Sequence, residues 1–200
     1  MKKTFAIILG GMLLSAPALA VTEDGKFALH GAGASRCDAV IAAYKADKSA
    51  RIIGELGSWV SGYIDAANRA YPDGYDLVPI ANHATVAVVG LRVCENNPAS
   101  NFEEVIWSII RVYGPLKDRR VAVPVSWKNG DREVSVSSDL ILKIQDHLAR
   151  GKFFETKSGD GTANPKLIAA LSKWQKSKKI PETGMPDAFT LFIMAQEISQ

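Results

Sequence analysis

The sequence predicts a mainly α-helical protein in which a short β-hairpin separates two helical units. Apolar residues recur at helical spacing both before and after residues 119–137. Within that stretch, Asn129-Gly130 stands between two runs of alternating residues, which is a strong local signal for a hairpin. We therefore expect a four-helix unit at residues 36–117, the hairpin at 119–137 and a three-helix unit at 138–200.

The N-terminus has the features of a secretory signal peptide at residues 1–20. Lys2 and Lys3 precede an apolar run at residues 5–14, and Ala18-Leu19-Ala20 is a small-x-small cleavage site. The run is shorter than the roughly 20 residues that a membrane span needs. The residue directly after the cleavage point is Val21 and not a cysteine, so a lipid anchor is not indicated. We expect an exported, periplasmic protein, cleaved after Ala20, with no membrane span in the mature chain.

Composition is that of an ordinary globular protein. The formal net charge is +3, and two of the lysines lie in the predicted signal peptide, so the mature chain is close to neutral. Nucleic-acid-binding proteins usually carry a clustered basic face, which is absent here, and we expect no nucleic-acid partner. Four lysines do cluster late in the second C-terminal helix: Lys173, Lys176, Lys178 and Lys179. They fit either a solvated helix end or attraction to an anionic wall polymer.

The first helical unit contains a long amphipathic helix around residues 52–67. Gly54, Ser58 and Gly62 lie four apart on it and predict close approach by another helix, since interior glycines otherwise cost about 1 kcal/mol each. The next helix, residues 84–94, is apolar nearly all round and is predicted to be central and buried.

The last helix of this unit is expected to begin with a capping box. Ser100 and Glu103 have the required spacing, and apolar residues follow them at helical spacing. Glu103-Glu104 is the most conspicuous acidic pair of the chain. Its position in a first helical turn suits the positive end of the helix dipole and already explains it.

Cys37 and Cys94 are the only cysteines, and both fall in the first unit. An even count in an exported chain indicates one disulfide. This bond would close a loop of 57 residues, which the chain-entropy estimate values at about 4 kcal/mol. The competing interpretation, a nucleophilic cysteine, has neither a histidine nearby in sequence nor a family signature around it.

The predicted hairpin carries two further signals. Val121, Val123 and Val125 alternate with other residues, and Pro124 restricts its strand to an edge position. An isolated hairpin is marginally stable, so we expect it to pack on one of the helical units. Trp127 is expected to be exposed, where it would stack on a sugar ring or cover an apolar patch.

The C-terminal unit has clear helix boundaries. Asn164-Pro165 predicts a helix start, with asparagine as the N-cap and proline at the first helical position. Asp187 is expected to cap the last helix, and Thr183-Gly184 fits a turn in which glycine has a positive φ.

The order of landmarks in residues 138–196 resembles the peptidoglycan-binding-like domain of bacterial cell-wall proteins. These landmarks are a Gln-x-x-Leu helix, an Asp-Gly loop, an Ala-Leu-x-x-aromatic-Gln helix and a Pro-x-Thr-Gly-x-x-Asp run, here Gln145, Leu148, Asp160, Gly161, Ala170, Leu171, Trp174, Gln175, Pro181, Thr183, Gly184 and Asp187. The resemblance implies attachment to peptidoglycan through the loops at 160–164 and 180–184. The expected ligand-binding residues are Asp160, Asn164, Thr183 and Gly184, with Phe154 as an apolar floor.

Residues 36–117 resemble, more loosely, small disulfide-bonded all-helical periplasmic domains. The acid-stress chaperone family and the Rap-type immunity family belong to this group. The shared features are a glycine-rich second helix, one cystine and a phenylalanine-led last helix. The resemblance implies a module that binds a periplasmic protein.

The sequence offers no motif for catalysis. His-Glu-x-x-His, Ser-x-x-Lys and Gly-x-Ser-x-Gly are all absent, and the three histidines, His30, His83 and His147, are far apart with no carboxylate at ligand spacing. We expect no enzyme activity, cofactor or metal. The expected function is peptidoglycan association through the C-terminal unit and protein binding through the first unit. The alternative is a chaperone-like or immunity-like protein without affinity for glycan.

Overall fold

The computed structural model describes residues 27–47, 50–155 and 159–199, so the predicted signal peptide lies outside the described residues. Within these ranges the chain forms seven α-helices and one antiparallel two-stranded sheet, which confirms the predicted fold class. In chain order the elements are α1 (Cys37–Ala46), α2 (Ala50–Ala70), α3 (His83–Asn96), α4 (Phe102–Tyr113), β1 (Pro124–Asn129), β2 (Arg132–Ser137), α5 (Ser138–Arg150), α6 (Pro165–Ser177) and α7 (Ala188–Ile198).

Helix α2 packs closely on α3, but not through the face that the sequence suggested. A Cβ atom at Gly57 would lie 2.7 Å from the Cα of Ala84, so this glycine is the point of close approach. Gly54 and Gly62 are exposed, and a Cβ there would meet nothing within 4 Å. The predicted Gly54, Ser58 and Gly62 contact is therefore wrong, because the larger apolar side chains bury the opposite face of α2.

Helix α3 is the central element of the first unit, as predicted. It contacts α1, α2, α4 and α7, and most of its apolar residues are buried. The cystine joins the first turn of α1 to the last turn of α3. Cys37 and Cys94 are bonded and at most 1% exposed, which confirms the predicted disulfide.

Helix α4 begins one residue later than the sequence suggested. Asn101 is the N-cap, and its backbone N–H donates to Glu104 Oε2 at 3.0 Å in a capping box. The predicted box of Ser100 and Glu103 is wrong, because Phe102 begins the helix and this places Glu104 at its third position. The side chain of Glu103 is thereby left free to enter the protein interior, where it is 5% exposed.

The hairpin packs on the C-terminal unit. β1 and β2 pair from Pro124 with Ser137 to Asn129 with Arg132, and Gly130 in the turn has a φ of +60°. Trp127 is completely buried, and its Nε1–H donates to the carbonyl of Gly184 at 2.9 Å. The expectation of an exposed Trp127 is therefore wrong, since the inner face of the hairpin covers the loop before α7.

The two units share one hydrophobic core through α7. This helix packs on both α3 and α4. The hydroxyl of Tyr113 donates to the carbonyl of Ala188 at 2.7 Å, and the guanidinium of Arg92 lies 4.1 Å from the ring centre of Phe189. Phe192 and Tyr113 pack in a T-shaped arrangement at a ring-centre distance of 6.0 Å. No helix within the described ranges is long and apolar enough to cross a membrane.

Candidate functional site

The first predicted loop is held against α5 by a buried glutamine. Gln145 Oε1 accepts hydrogen bonds from the backbone N–H groups of Asp160 and Gly161 at 3.0 and 3.1 Å. Its Nε2 donates to Asp160 Oδ1 at 2.7 Å, and the N–H of Thr162 donates to the same oxygen at 2.9 Å. These bonds lower the pKa of Asp160 to about 2. The Asp160 side chain is therefore an ionised and exposed carboxylate at neutral pH.

The second loop is held in the same way by α6. Gln175 is completely buried, and its Nε2 donates to Thr183 Oγ1 at 3.0 Å and to Thr190 Oγ1 at 2.9 Å. Its Oε1 accepts from the N–H of Gly184 at 2.7 Å. Gly184 has a φ of +60°, and its carbonyl accepts from the Trp127 indole. Thr183 and Gly184 are therefore committed to the protein's own structure.

The remaining two predicted site residues also have structural roles. Asn164 caps α6, where its Oδ1 accepts from the N–H of Leu167 at 3.0 Å. Phe154 is half-buried against the hydrophobic core. The two loops are fastened to different elements, the first to α5 and the second to α6 and the hairpin. Of the five predicted residues, Asp160 is the one whose functional group is exposed.

The chain carries a larger candidate site on the first helical unit, a groove between α2 and α4. Its volume is about 510 Å³. Aromatic rings form much of its wall, and two of them, Phe27 and Tyr71, are 51% and 42% exposed. Tyr71 and Trp107 contact each other at a ring-centre distance of 5.4 Å. We call this the α2–α4 groove; it is lined by Phe27, Tyr63, Ala66, Ala67, Ala70, Tyr71, Glu103, Glu104, Trp107 and Arg111.

A buried carboxylate lies at the base of the α2–α4 groove. Glu103 Oε1 accepts a short hydrogen bond from the hydroxyl of Tyr63. Its other oxygen, Oε2, has no hydrogen-bond partner within the described part of the chain, and no cation there lies within ion-pair distance. Burial and the bond to Glu103 raise the pKa of Tyr63, so the tyrosine keeps its proton and remains the donor.

Charge is distributed along the groove in a definite order. Glu103, Trp107 and Arg111 follow one another at spacings of four on α4, and therefore lie along one face of that helix. The acidic end carries Glu103 and Glu104, and the basic end carries Arg111. From the sequence alone, the position of Glu103-Glu104 in a first helical turn accounts for the pair. The spacing of four was readable, but the pairing with Tyr63 was not, because Tyr63 stands 40 residues earlier.

A polar cluster that the sequence analysis missed joins the three C-terminal helices. His147 Nε2 lies 3.1 Å from Glu197 Oε2, and the Trp174 indole N–H donates to that oxygen at 3.3 Å. Lys178 forms an ion pair with the same carboxylate. Burial lowers the pKa of His147. Burial also opposes ionisation of Glu197, but hydrogen bonds from Lys178, Trp174 and His147 outweigh it and lower the pKa of Glu197.

The remaining chemistry of the described residues is limited. They contain no group of three or more side chains able to hold a metal ion. Ser61 Oγ and His83 Nδ1 are 3.0 Å apart in a partly buried pair between α2 and α3. No protein-family profile, curated protein or solved structure matches this chain.

Proposed function

We propose that this chain is an exported, non-enzymatic binding protein that associates with peptidoglycan through its C-terminal unit and binds a partner protein through the α2–α4 groove. The observation that carries the proposal is the groove itself. It is an open, aromatic-walled depression with a buried carboxylate at its base.

The groove has the character of a recognition site. Ligand sites are typically concave, apolar and aromatic, with a few polar groups that orient the ligand, and they occupy roughly 300–1,000 Å³. The groove's volume of about 510 Å³ falls in this range. Phe27 and Tyr71 are both exposed at the same depression, and exposed apolar clusters on a protein surface mark interaction sites.

Association with peptidoglycan is supported by the family resemblance and by the position of Asp160. The loop around it is fixed by Gln145, so the carboxylate is presented in one orientation without an ordering cost. An ionised carboxylate can accept hydrogen bonds from sugar hydroxyls or pair with a peptide amine.

Co-sedimentation with purified peptidoglycan tests this half of the proposal. We expect the chain from Val21 to Gln200 to sediment with peptidoglycan, and Asp160→Asn to reduce the sedimented fraction several-fold. Asparagine keeps the Oδ1 acceptor for Gln145 and Thr162, so the loop is preserved while the charge is removed. Asp146→Asn is the matched control, because Asp146 is an exposed carboxylate on α5 that forms an ion pair with Arg150.

The outcomes distinguish binding of peptidoglycan by the chain from a role of Asp160 in that binding. Wild-type protein that stays wholly in the supernatant would refute association with peptidoglycan. Sedimentation of Asp160→Asn equal to that of wild type would refute the site alone.

A chaperone-like or immunity-like protein without glycan affinity is the second candidate. One observation favours it: Asn164, Thr183 and Gly184, which the resemblance assigned to ligand binding, are engaged in internal hydrogen bonds. This candidate predicts that the protein does not sediment with peptidoglycan and that the α2–α4 groove still binds a partner protein.

A further inference from the structure

The carboxylate of Glu103 is the unusual group of the α2–α4 groove. It is 5% exposed, and its single hydrogen-bond donor within the described ranges is neutral Tyr63. A buried carboxylate without a cationic partner is unfavourable, because it has lost hydration without gaining an ion pair. A cation that enters the groove from outside would supply the missing partner and an additional donor for Oε2.

The walls of the groove suit such a cation. Tyr63, Tyr71 and Trp107 line the same groove as Glu103, and a cation above an aromatic face is stabilised by about 0.5–2 kcal/mol. The aromatic faces also accommodate the apolar stem of a lysine or arginine side chain. The aromatic walls and the carboxylate thus favour the same ligand group.

The distance between Glu103 and Arg111 sets the spacing of the charged groups on a ligand. Arg111 stands eight residues after Glu103 on α4, which corresponds to about 12 Å along the helix axis. An extended peptide rises about 3.3 Å per residue and places residues four apart on one face, about 13 Å apart. A basic and an acidic side chain in such a peptide would therefore meet Glu103 and Arg111 respectively.

We propose that the α2–α4 groove binds an extended peptide segment of the partner protein in which a lysine or arginine precedes or follows an acidic residue by four positions. The basic side chain pairs with Glu103 between the aromatic rings, and the acidic side chain pairs with Arg111. This inference rests on the proposed function, since it specifies the chemistry of the partner that the groove takes.

Calorimetric titration with defined peptides tests the inference on the chain from Val21 to Gln200. The probe is the acetylated and amidated heptapeptide Ala-Lys-Leu-Ala-Leu-Asp-Ala, and a second probe has norleucine in place of lysine. We expect wild-type protein to bind the lysine peptide about tenfold or more tightly than the norleucine peptide. Glu103→Gln should lose this preference, while its side-chain oxygen still accepts from Tyr63 and preserves the packing.

The matched control is Asp65→Asn. Asp65 is an exposed carboxylate on α2 outside the groove lining, so its removal changes the net charge equally without touching the site. This variant should keep the wild-type preference for the lysine peptide. A third probe, with asparagine in place of aspartate, measures the contribution of Arg111 to peptide binding. Arg111→Gln should weaken binding of the aspartate peptide and leave binding of the asparagine peptide unchanged.

Each outcome is decisive. Equal affinity of wild type for the lysine and norleucine peptides, or binding of neither, would overturn the inference. Equal affinity for the two peptides would still be compatible with the proposed binding of a partner protein by the groove. The proposed association with peptidoglycan is tested separately, by sedimentation. If Glu103→Gln does not fold, the inference is tested on Arg111→Gln, since Arg111 is exposed. The affinities of this variant for the aspartate and asparagine peptides are then compared. An unchanged aspartate preference in that variant would likewise overturn the inference.

Discussion

Two buried glutamines determine the geometry of the C-terminal loops. Gln145 and Gln175 are at most 1% exposed, and each uses both its amide nitrogen and its amide oxygen to hold the loop that follows its helix. A glutamine provides donors and an acceptor in one side chain, so it can satisfy several backbone groups of a tight loop at once. Both residues belong to the pattern on which the resemblance to peptidoglycan-binding-like domains rests, and both hold loops of the protein itself.

Replacement of Gln175 by alanine should strongly destabilise the protein. Gly184, Thr183 and Thr190 would each lose a buried hydrogen-bond partner, and unsatisfied buried groups cost about 1–3 kcal/mol each. We expect the free energy of unfolding to fall by about 3 kcal/mol or more in a urea titration. Lys176→Ala, on the exposed side of the same helix, should change it by less than about 0.5 kcal/mol. Equal effects would contradict the assigned role.

His147 makes stability depend on pH. Its pKa is lowered in the folded protein by burial, whereas in the unfolded chain it is about 6.5. Below that pH the unfolded state binds more protons than the folded state, so the free energy of unfolding decreases as the pH falls. We expect denaturation midpoints to fall between about pH 7.5 and 5.5, and His147→Gln to reduce this fall.

The control for this prediction is His30→Gln. The His30 side chain is exposed, and the residue's backbone carbonyl, which accepts from Trp59, is unaffected by the change. This variant should keep the wild-type pH dependence. If His147→Gln and wild type had parallel pH profiles, another group would be responsible.

At the scale of elements, the cystine links α1 covalently to α3. Its sequence separation of 57 residues predicts a loss of about 4 kcal/mol when the bond is reduced, because the unfolded chain gains conformational freedom. Denaturant midpoints with and without reductant measure this loss. The Cys37→Ala, Cys94→Ala double variant should match the reduced wild type and be insensitive to reductant. A reductant-dependent midpoint in the double variant would contradict the assignment.

The position of the hairpin depends on its contact with the loop before α7. Its turn and register follow from the local sequence, but its inner face is covered because Trp127 and Asn129 donate to the carbonyls of Gly184 and Thr183. Two strands alone are marginal in water. The contact with the loop before α7 stabilises the hairpin and also fixes that loop from a second side.

At the scale of the whole molecule, α7 connects the two units. Tyr113 and Ala188 form a buried hydrogen bond across the junction, and Lys143 donates to the carbonyl of Leu116 at 2.9 Å and to that of Lys117 at 2.5 Å. A shared core of this kind favours a single cooperative unfolding transition. The C-terminal unit is therefore stabilised by the helices that precede it.

Tyr113→Phe should reveal this connection. The change leaves the buried carbonyl of Ala188 without its donor, at a cost of about 1–2 kcal/mol. We expect hydrogen exchange of both α4 and α7 to accelerate together, by the same factor. Tyr75→Phe is the control, because the Tyr75 side chain is 55% exposed and the loss of its hydroxyl leaves no buried carbonyl without a donor. Faster exchange in α7 alone would indicate that the units open independently.

Local structure could be predicted from the sequence by itself. Asn164-Pro165 starts α6, Asp187 caps α7, and Asn129-Gly130 directs the hairpin turn, because capping and turn formation depend on atoms a few residues apart. The cystine followed from a count of two cysteines in a chain that looks exported. The predicted function and binding residues stay predictions.

Tertiary structure alone decided which surfaces meet. It buried Trp127, directed Gly54 and Gly62 to solvent, paired Tyr63 with Glu103 over 40 residues, and placed His147 against Glu197 over 50. These outcomes depend on how helices orient around a common core, and periodicity shows that a helix has a buried face without showing what covers it. For that reason the α2–α4 groove could be identified only once the fold was known.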